Sequence, residues 1–205
     1  MKYDTLADDA SLKKTSDALG KLGYEVIRVK SRQEALAKIK EIIPDSASVM
    51  NGSSVTLEQI GFVEYLKSGK HQWNNLHEGI VAEKDPDKQS ALRQKALLSD
   101  YYLGSVHALA ETGEFVIASN TGSQLPHVVN TSPNLIFVVS TKKIVPDLDS
   151  AMKRLHEHVV PMEEKHMMEK YKVGTRANKI VIFRGESAYS KRKIRFILVE
   201  EDLGF

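Results

Sequence analysis

The chain has 205 residues, of which 41% are hydrophobic and 27% charged, a balance that fits one globular domain able to bury a core. Its 29 basic and 27 acidic side chains leave a net charge of +2, so neither a broad nucleic-acid surface nor a membrane surface is expected. The absence of cysteine excludes disulfides, thiol catalysis, and cysteine-held iron–sulfur or zinc sites.

The acidic start, Met1 to Asp9, has no apolar centre and is not expected to be a signal peptide. No apolar run is long enough to span a bilayer, and the expected location is cytoplasmic. From about Asp8 to Leu22 the spacing of Leu12, Ala18, Leu19 and Leu22 predicts a helix. Gly23 ends it, and Tyr24 to Val29 reads as a strand. Ser31 caps a second helix carrying Ala35, Ile39, Ile42 and Ile43, and Pro44 closes it. Ala47 to Met50 is a strand that runs into Asn51-Gly52-Ser53-Ser54, followed by a helix from about Thr56 to Lys67.

Residues 85–100 are helical in pattern. Ser105 to Ala110 and Glu114 to Ala118 read as two strands around a Glu-Thr-Gly turn. Leu135 to Val139 is apolar throughout, as in a strand covered on both faces of a parallel sheet. Pro146-Asp147 starts a long helix with Leu148, Met152, Leu155, Val159 and Met162 on one side, kinked or split at Pro161. Lys179 to Phe183 and Lys193 to Glu200 are strands, the second with one apolar face. Strands alternating with helices give an α/β fold with a mostly parallel sheet flanked by helices. Residues 1–205 read as one domain with a helical N-terminal part, about 1–45, which forms a small helical subregion with the helix near 147–172.

Three segments nominate a site. In the first, Asn51, Gly52, Ser53, Ser54 and Thr56 join a strand to a helix start, where backbone N–H groups and hydroxyls suit an anion. A plain capping box with Glu58 explains the same residues. In the second, Glu111 on the turn with Thr112 and Gly113 is a nucleophile or general base if half-buried. The competing reading is a solvated turn in which Gly113 supplies positive φ. In the third, Asn120, Thr121, Gly122, Ser123, Gln124 and His127 form a polar loop with an imidazole. Side chains bonding their own backbone account equally for that loop. His156, His158 and His166 make no recognised zinc spacing, and no metal site is expected. His71 and His77 flank Trp73 in what reads as a surface segment or interface. Lys191-Arg192-Lys193 with Arg195 reads as a solvated basic face, with contact to an anionic ligand as the alternative.

The segment Ser53 to Phe62, with Ala110 to Glu114, Gly122 to Pro126 and Lys143 to Leu148, resembles the lactate-utilisation domain (LUD) family. Asn178 to Ile182 and Ile197 to Phe205 extend the likeness, which runs in order from about residue 46 to the end. The resemblance implies the fold of the glucosamine-phosphate deaminase, ribose-phosphate isomerase and coenzyme A transferase superfamily. It also implies a link to lactate oxidation beside iron–sulfur subunits. Without the cysteine clusters of the larger member, the chain resembles the small cofactor-free type. Val55 and Gln59 stand where close relatives are expected to carry Met and an acidic residue. By analogy with the Glu-Asn-Gly turn of coenzyme A transferases, Glu111 becomes the expected catalytic carboxylate, with Asn51 to Ser54 holding an anionic group.

The expectation is therefore a subunit or accessory of 2-hydroxy-acid oxidation with a pocket for an anionic small molecule. It needs no cofactor of its own, partners an iron–sulfur redox protein, binds neither nucleic acid nor membrane, and is compatible with a homo-oligomer. The alternative is a stand-alone enzyme acting through Glu111 on a sugar phosphate, a folate or an acyl-coenzyme A.

Overall fold

The computed structural model describes residues 3–205. Met1 and Lys2, which begin the acidic segment read above as no signal peptide, lie outside the described residues. The elements run α1 (Asp9–Lys21), β1 (Glu25–Val29), α2 (Arg32–Ile42), β2 (Ser48–Asn51), α3 (Val55–Gln59), α4 (Phe62–Lys67) and β3 (Asn74–Asn75). Next come α5 (Leu76–Ala82), α6 (Pro86–Ala96), β4 (Tyr101–Gly104), β5 (Ala108–Ala110), β6 (Phe115–Ser119), β7 (Asn134–Ser140) and β8 (Ile144–Val145). The chain closes with α7 (Leu148–Arg154), α8 (Val160–Tyr171), β9 (Lys179–Phe183) and β10 (Lys193–Val199).

Six strands form a parallel sheet in the order β1-β10-β7-β4-β2-β3. A second sheet, β8-β5-β6-β9, packs beside it, with β5 antiparallel to β6 and parallel to β8. The α/β architecture with a mostly parallel sheet is thus as the alternation of strands and helices predicts. The second sheet was not foreseen, because β8 is two residues long and β6 and β9 pair across a long stretch of chain.

Three cores follow from this layering. Ile39, Leu57, Phe62, Trp73, Ile136 and Ile197 pack α2, α3 and α4 on one face of the main sheet. Leu12, Leu19, Phe115, Phe137 and Phe196 fill the space between α1, the main sheet and the second sheet. Ala108, Val116, Ala151, Leu155 and Val159 join the outer face of the second sheet to α7. Each buried aliphatic or aromatic side chain contributes about 1.5–3 kcal/mol relative to exposure.

Local physics explains the boundaries. Ser31 accepts from Glu34 N at 3.3 Å and starts α2, and Asp147 accepts from Ser150 N at 2.8 Å and starts α7. The helix expected over 56–67 is two helices, since Gly61 adopts φ 78° and turns the chain between α3 and α4. The helix expected from Asp147 is split just before Pro161: a π-helical turn, Leu155–Val159, separates α7 from α8, and Pro161 sits in the first turn of α8.

Other expectations are corrected. Ile197 of β10 is buried as fully as Ile194, Phe196 and Leu198, because β10 lies between β1 and β7 with both faces covered. Trp73 is not a surface residue. It is buried, stacks on His71 at 5.3 Å and donates its indole N–H to Ile43 O at 3.2 Å. Arg192 is not on a solvated face. It donates to the carbonyls of His127, Val128, Val129 and Ser132, closing the end of the π-helical turn His127–Thr131. β1 of the N-terminal part is the edge strand of the main sheet, so residues 9–42 are built into it. Tyr3 reaches the long C-terminal helix through a hydrogen bond to Glu157 Oε2 at 3.1 Å. Among the described residues, no helix is long and apolar enough to cross a membrane.

Candidate functional site

In a parallel sheet, ligands gather where the strands end at their carboxyl edge. Here β2 runs into Gly52 to Thr56, β4 into Ser105 to His107, β7 into the 3-10 turn Thr141–Lys143, and β10 toward Gly204 and Phe205. These four strands are neighbours in the sheet, so their outgoing segments converge. Ser119 at the end of β6, Asn120, Thr121, Ser123 and Gln124 of the loop that follows, and Glu163, Met167 and Tyr171 of α8 complete a cleft of about 450 Å³. That size suits a small molecule.

Lys143 lies at the base of this cleft and is 4% exposed. Its Nζ donates to Thr56 Oγ1 at 3.1 Å, Ser105 Oγ at 3.1 Å and Val106 O at 3.2 Å. Among the described residues, no carboxylate meets it. The preceding lysine shows the contrast: Lys142 Nζ pairs with Asp202 Oδ1 at 2.5 Å. Burial first, then the charges of Arg154 and Lys142, pull the Lys143 pKa down to about 7.

Two further basic groups surround it. Arg154 is fully buried and donates Nη1–H to His107 O at 2.5 Å, while its Nε and Nη2 have no hydrogen-bond partner among the described residues. His107 Nδ1 accepts from Ala118 N at 3.2 Å, which places the ring proton on Nε2. Burial, followed by the charges of Lys143 and Arg154, depresses the His107 pKa to about 3, so its ring is neutral at physiological pH. Lys143 is thus a buried basic group of the cleft lining that meets no carboxylate among the described residues, and Arg154, outside that lining, adds to the positive charge near it.

The tail closes over this lysine. Gly204 adopts φ 69° and donates its N–H to Gln59 Oε1 at 2.6 Å. A Cβ at position 204 would stand 2.3 Å from Thr56 Oγ1 and 2.9 Å from Lys143 Nζ. Only glycine fits both the backbone conformation and the space.

Of the residues nominated from sequence, Gly52, Ser53, Ser54, Thr56, Asn120, Thr121, Ser123 and Gln124 line the cleft together. Asn51, Thr112, Gly113, Gly122, Glu111 and His127 are not among its lining residues. Ser54 caps α3 by accepting from Leu57 N at 3.3 Å, and α3 has only five residues, so hydroxyls rather than a helix dipole characterise that wall. Asn51 is buried and donates to Gly52 O at 3.1 Å. The Ser119–Gln124 loop bonds itself: Gly122 N donates to Ser119 Oγ at 2.9 Å, and Gln124 Nε2 donates to Ala118 O at 3.0 Å.

Glu111 belongs to a different place. It accepts from Ser11 Oγ at 2.6 Å and Lys14 Nζ at 2.9 Å, both on α1. These contacts, led by Ser11, lower its pKa. Gly113 adopts φ 98°, and a Cβ there would lie 2.6 Å from Leu22 Cδ1. The Glu-Thr-Gly turn is thus a docking point for α1, and its carboxylate ties the turn to that helix. His127 is also structural in setting. It is buried, stacks on Tyr102 at 4.5 Å, and shares a 3.1 Å hydrogen bond through Nδ1 with Ser132 Oγ.

Sequence reasoning missed Lys143, Ser105, His107 and Arg154. The pair Lys142-Lys143 between the apolar segments 135–139 and 144–145 was the available signal, since lysines there stand at the end of a buried strand. Arg154 stands next to Lys153 in a helical pattern, and nothing in that pattern marks it as buried.

The fold is that of an α/β protein with a cleft at the carboxyl edge of its parallel sheet. The model of the LUD domain matches residues 12–198, and the chain belongs to that family. Its structure is similar to the crystal structure of a DUF162 family protein from Deinococcus radiodurans, with a TM-score of 0.59 at 12% identity. That likeness covers 95% of this chain and 99% of the other, and at this identity it speaks to the fold alone. No curated protein matches the chain.

Proposed function

We propose that this LUD-family protein serves 2-hydroxy-acid oxidation, lactate above all, as a subunit or accessory that binds an anionic small molecule beside Lys143. The carrying observation is the buried Lys143 amino group, which has no carboxylate partner among the described residues and faces a cleft lined by hydroxyls. A buried cation held only by neutral oxygens is costly, and an incoming carboxylate offsets that cost. Membership of the LUD family supports the link to lactate utilisation. The chain has no cysteine to act as a redox couple, so electrons leaving a hydroxy acid need an acceptor held elsewhere, and an iron–sulfur protein is the partner this reading names.

The route through Glu111 to a sugar phosphate, folate or acyl-coenzyme A has less support, since Glu111 is engaged by Ser11 and Lys14 outside the cleft. A thermal-shift panel separates the two readings. Lactate, pyruvate, coenzyme A, acetyl-coenzyme A, ribose and glucosamine phosphates and a folate are each added to the wild type and to Lys143→Met. A ligand at about 100 times its Kd adds about 2.7 kcal/mol, a rise in Tm of several degrees at about 2–4 °C per kcal/mol. A shift with the small hydroxy or oxo acids that Lys143→Met abolishes supports the proposal. A shift with only phosphates, a folate or coenzyme A, kept in that variant, overturns it.

A further inference from the structure

We infer that Lys143 forms a reversible imine with the carbonyl carbon of a 2-oxo acid held in the cleft, an inference that rests on the anionic small-molecule reading above. A lysine kept for its charge is expected to meet a carboxylate, as Lys142 meets Asp202. Lys143, the next residue, meets two hydroxyls and one carbonyl instead. That set serves both protonation states. An ammonium donates to all three oxygens. A neutral amine donates to Val106 O and one hydroxyl, and the other hydroxyl rotates to leave the lone pair free.

The surrounding charges favour the neutral amine while attracting the acid. Lys142 on the same turn, Arg154 at the end of α7 and His107 after β4 are the basic groups around Lys143, and Arg176 and, from α8, Glu163 and Tyr171 are the other charged or titratable groups of the cleft wall. None of them pairs with Nζ. Burial brings its pKa to about 7, so a reactive amine is present at neutral pH, as expected of a nucleophilic lysine placed near other cations.

The step balances without any redox partner. The Nζ lone pair adds to the carbonyl carbon, and the C=O π pair moves to oxygen, which takes a proton. The resulting carbinolamine loses its hydroxyl group as water, and the C=N bond forms. A 2-oxo acid is also what a 2-hydroxy acid becomes on oxidation, so the same cleft accommodates both by their shared carboxylate, and only the oxo form reacts.

The test is reductive trapping with pyruvate. The purified protein is incubated with pyruvate and sodium cyanoborohydride, digested and mapped by mass spectrometry, with a parallel calorimetric titration lacking reductant. The expected result is a reduced adduct concentrated on Lys143, well above that on exposed lysines such as Lys13 and Lys165, and increasing as pH rises through about 7. Comparing sites within the wild type avoids dependence on a variant that fails to fold. In Lys143→Arg the cleft cation remains and the adduct at this position is lost. Calorimetric binding with Lys143 no more modified than the exposed lysines overturns the imine and leaves the anion site standing. Absence of both binding and adduct overturns the two together.

Discussion

Thr56 and Lys143 are 87 residues apart in sequence, yet Lys143 Nζ donates to Thr56 Oγ1 at 3.1 Å. The bond joins the loop leaving β2 to the turn leaving β7 and fixes the base of the cleft. Because the folded-state pKa of Lys143 lies near 7 against 10.5 for a free lysine, the unfolded chain binds more protons between those values. Wild-type stability should therefore gain a contribution as pH rises from about 7 to 10.5. Lys143→Met removes that contribution. Thermal denaturation of both proteins at pH 7 and pH 9.5 checks this: the wild type should gain on the variant at the higher pH, and parallel curves would refute the assignment.

The histidines act on the acid side. His107 and His127 have pKa values depressed to about 3 and about 4 from 6.5, in each case chiefly by burial. Below pH 6.5 the unfolded chain takes up protons that the folded chain refuses, so stability falls with falling pH until the folded values are reached. His127→Phe preserves the stack on Tyr102, and Ser132 keeps its contact with Ser99. Its denaturation profile between pH 6.5 and 4 should be shallower than that of the wild type.

Glu111→Gln should cost about 1–2 kcal/mol of stability, since it weakens two charge-assisted hydrogen bonds to α1. Ligand binding in the cleft should be unchanged. The depressed carboxyl pKa adds stability above the ordinary glutamate value of 4.5 that is lost as pH falls through the folded value. Urea denaturation at pH 7 and pH 3.5 should show a difference between wild type and variant that shrinks at the lower pH.

Gly204→Ala places a methyl group against Thr56 and Lys143 on a left-handed backbone. The conformation alone costs about 1–2 kcal/mol. The variant should unfold at lower temperature and lose cleft binding at least tenfold. Gly79→Ala is the control, because nothing lies within 4 Å of a Cβ there.

The parts of the fold that follow local rules were readable in the sequence. Leu135 to Val139 announced a strand covered on both faces, and Ser31 and Asp147 announced helix starts. Leu76–Ala82 and Tyr101–Gly104 were not identified, because Tyr-Tyr-Leu-Gly is too short to show a period and is fixed by its neighbours β2 and β7. The two cleft loops, Gly52 to Thr56 and Asn120 to Gln124, were recognisable from small polar residues at strand ends. Glu111 was misplaced because a turn carboxylate reveals nothing of which helix it meets. Lys143 went unnoticed because its isolation from carboxylates is a property of three dimensions.

Calorimetric titration of lactate and pyruvate into wild type, Lys143→Met and Glu111→Gln at pH 7 tests the central claim most directly. Binding should be equal in wild type and Glu111→Gln and at least about tenfold weaker, or 1.4 kcal/mol, in Lys143→Met. Binding retained in Lys143→Met and lost in Glu111→Gln would contradict the account and return the site to the turn beside α1.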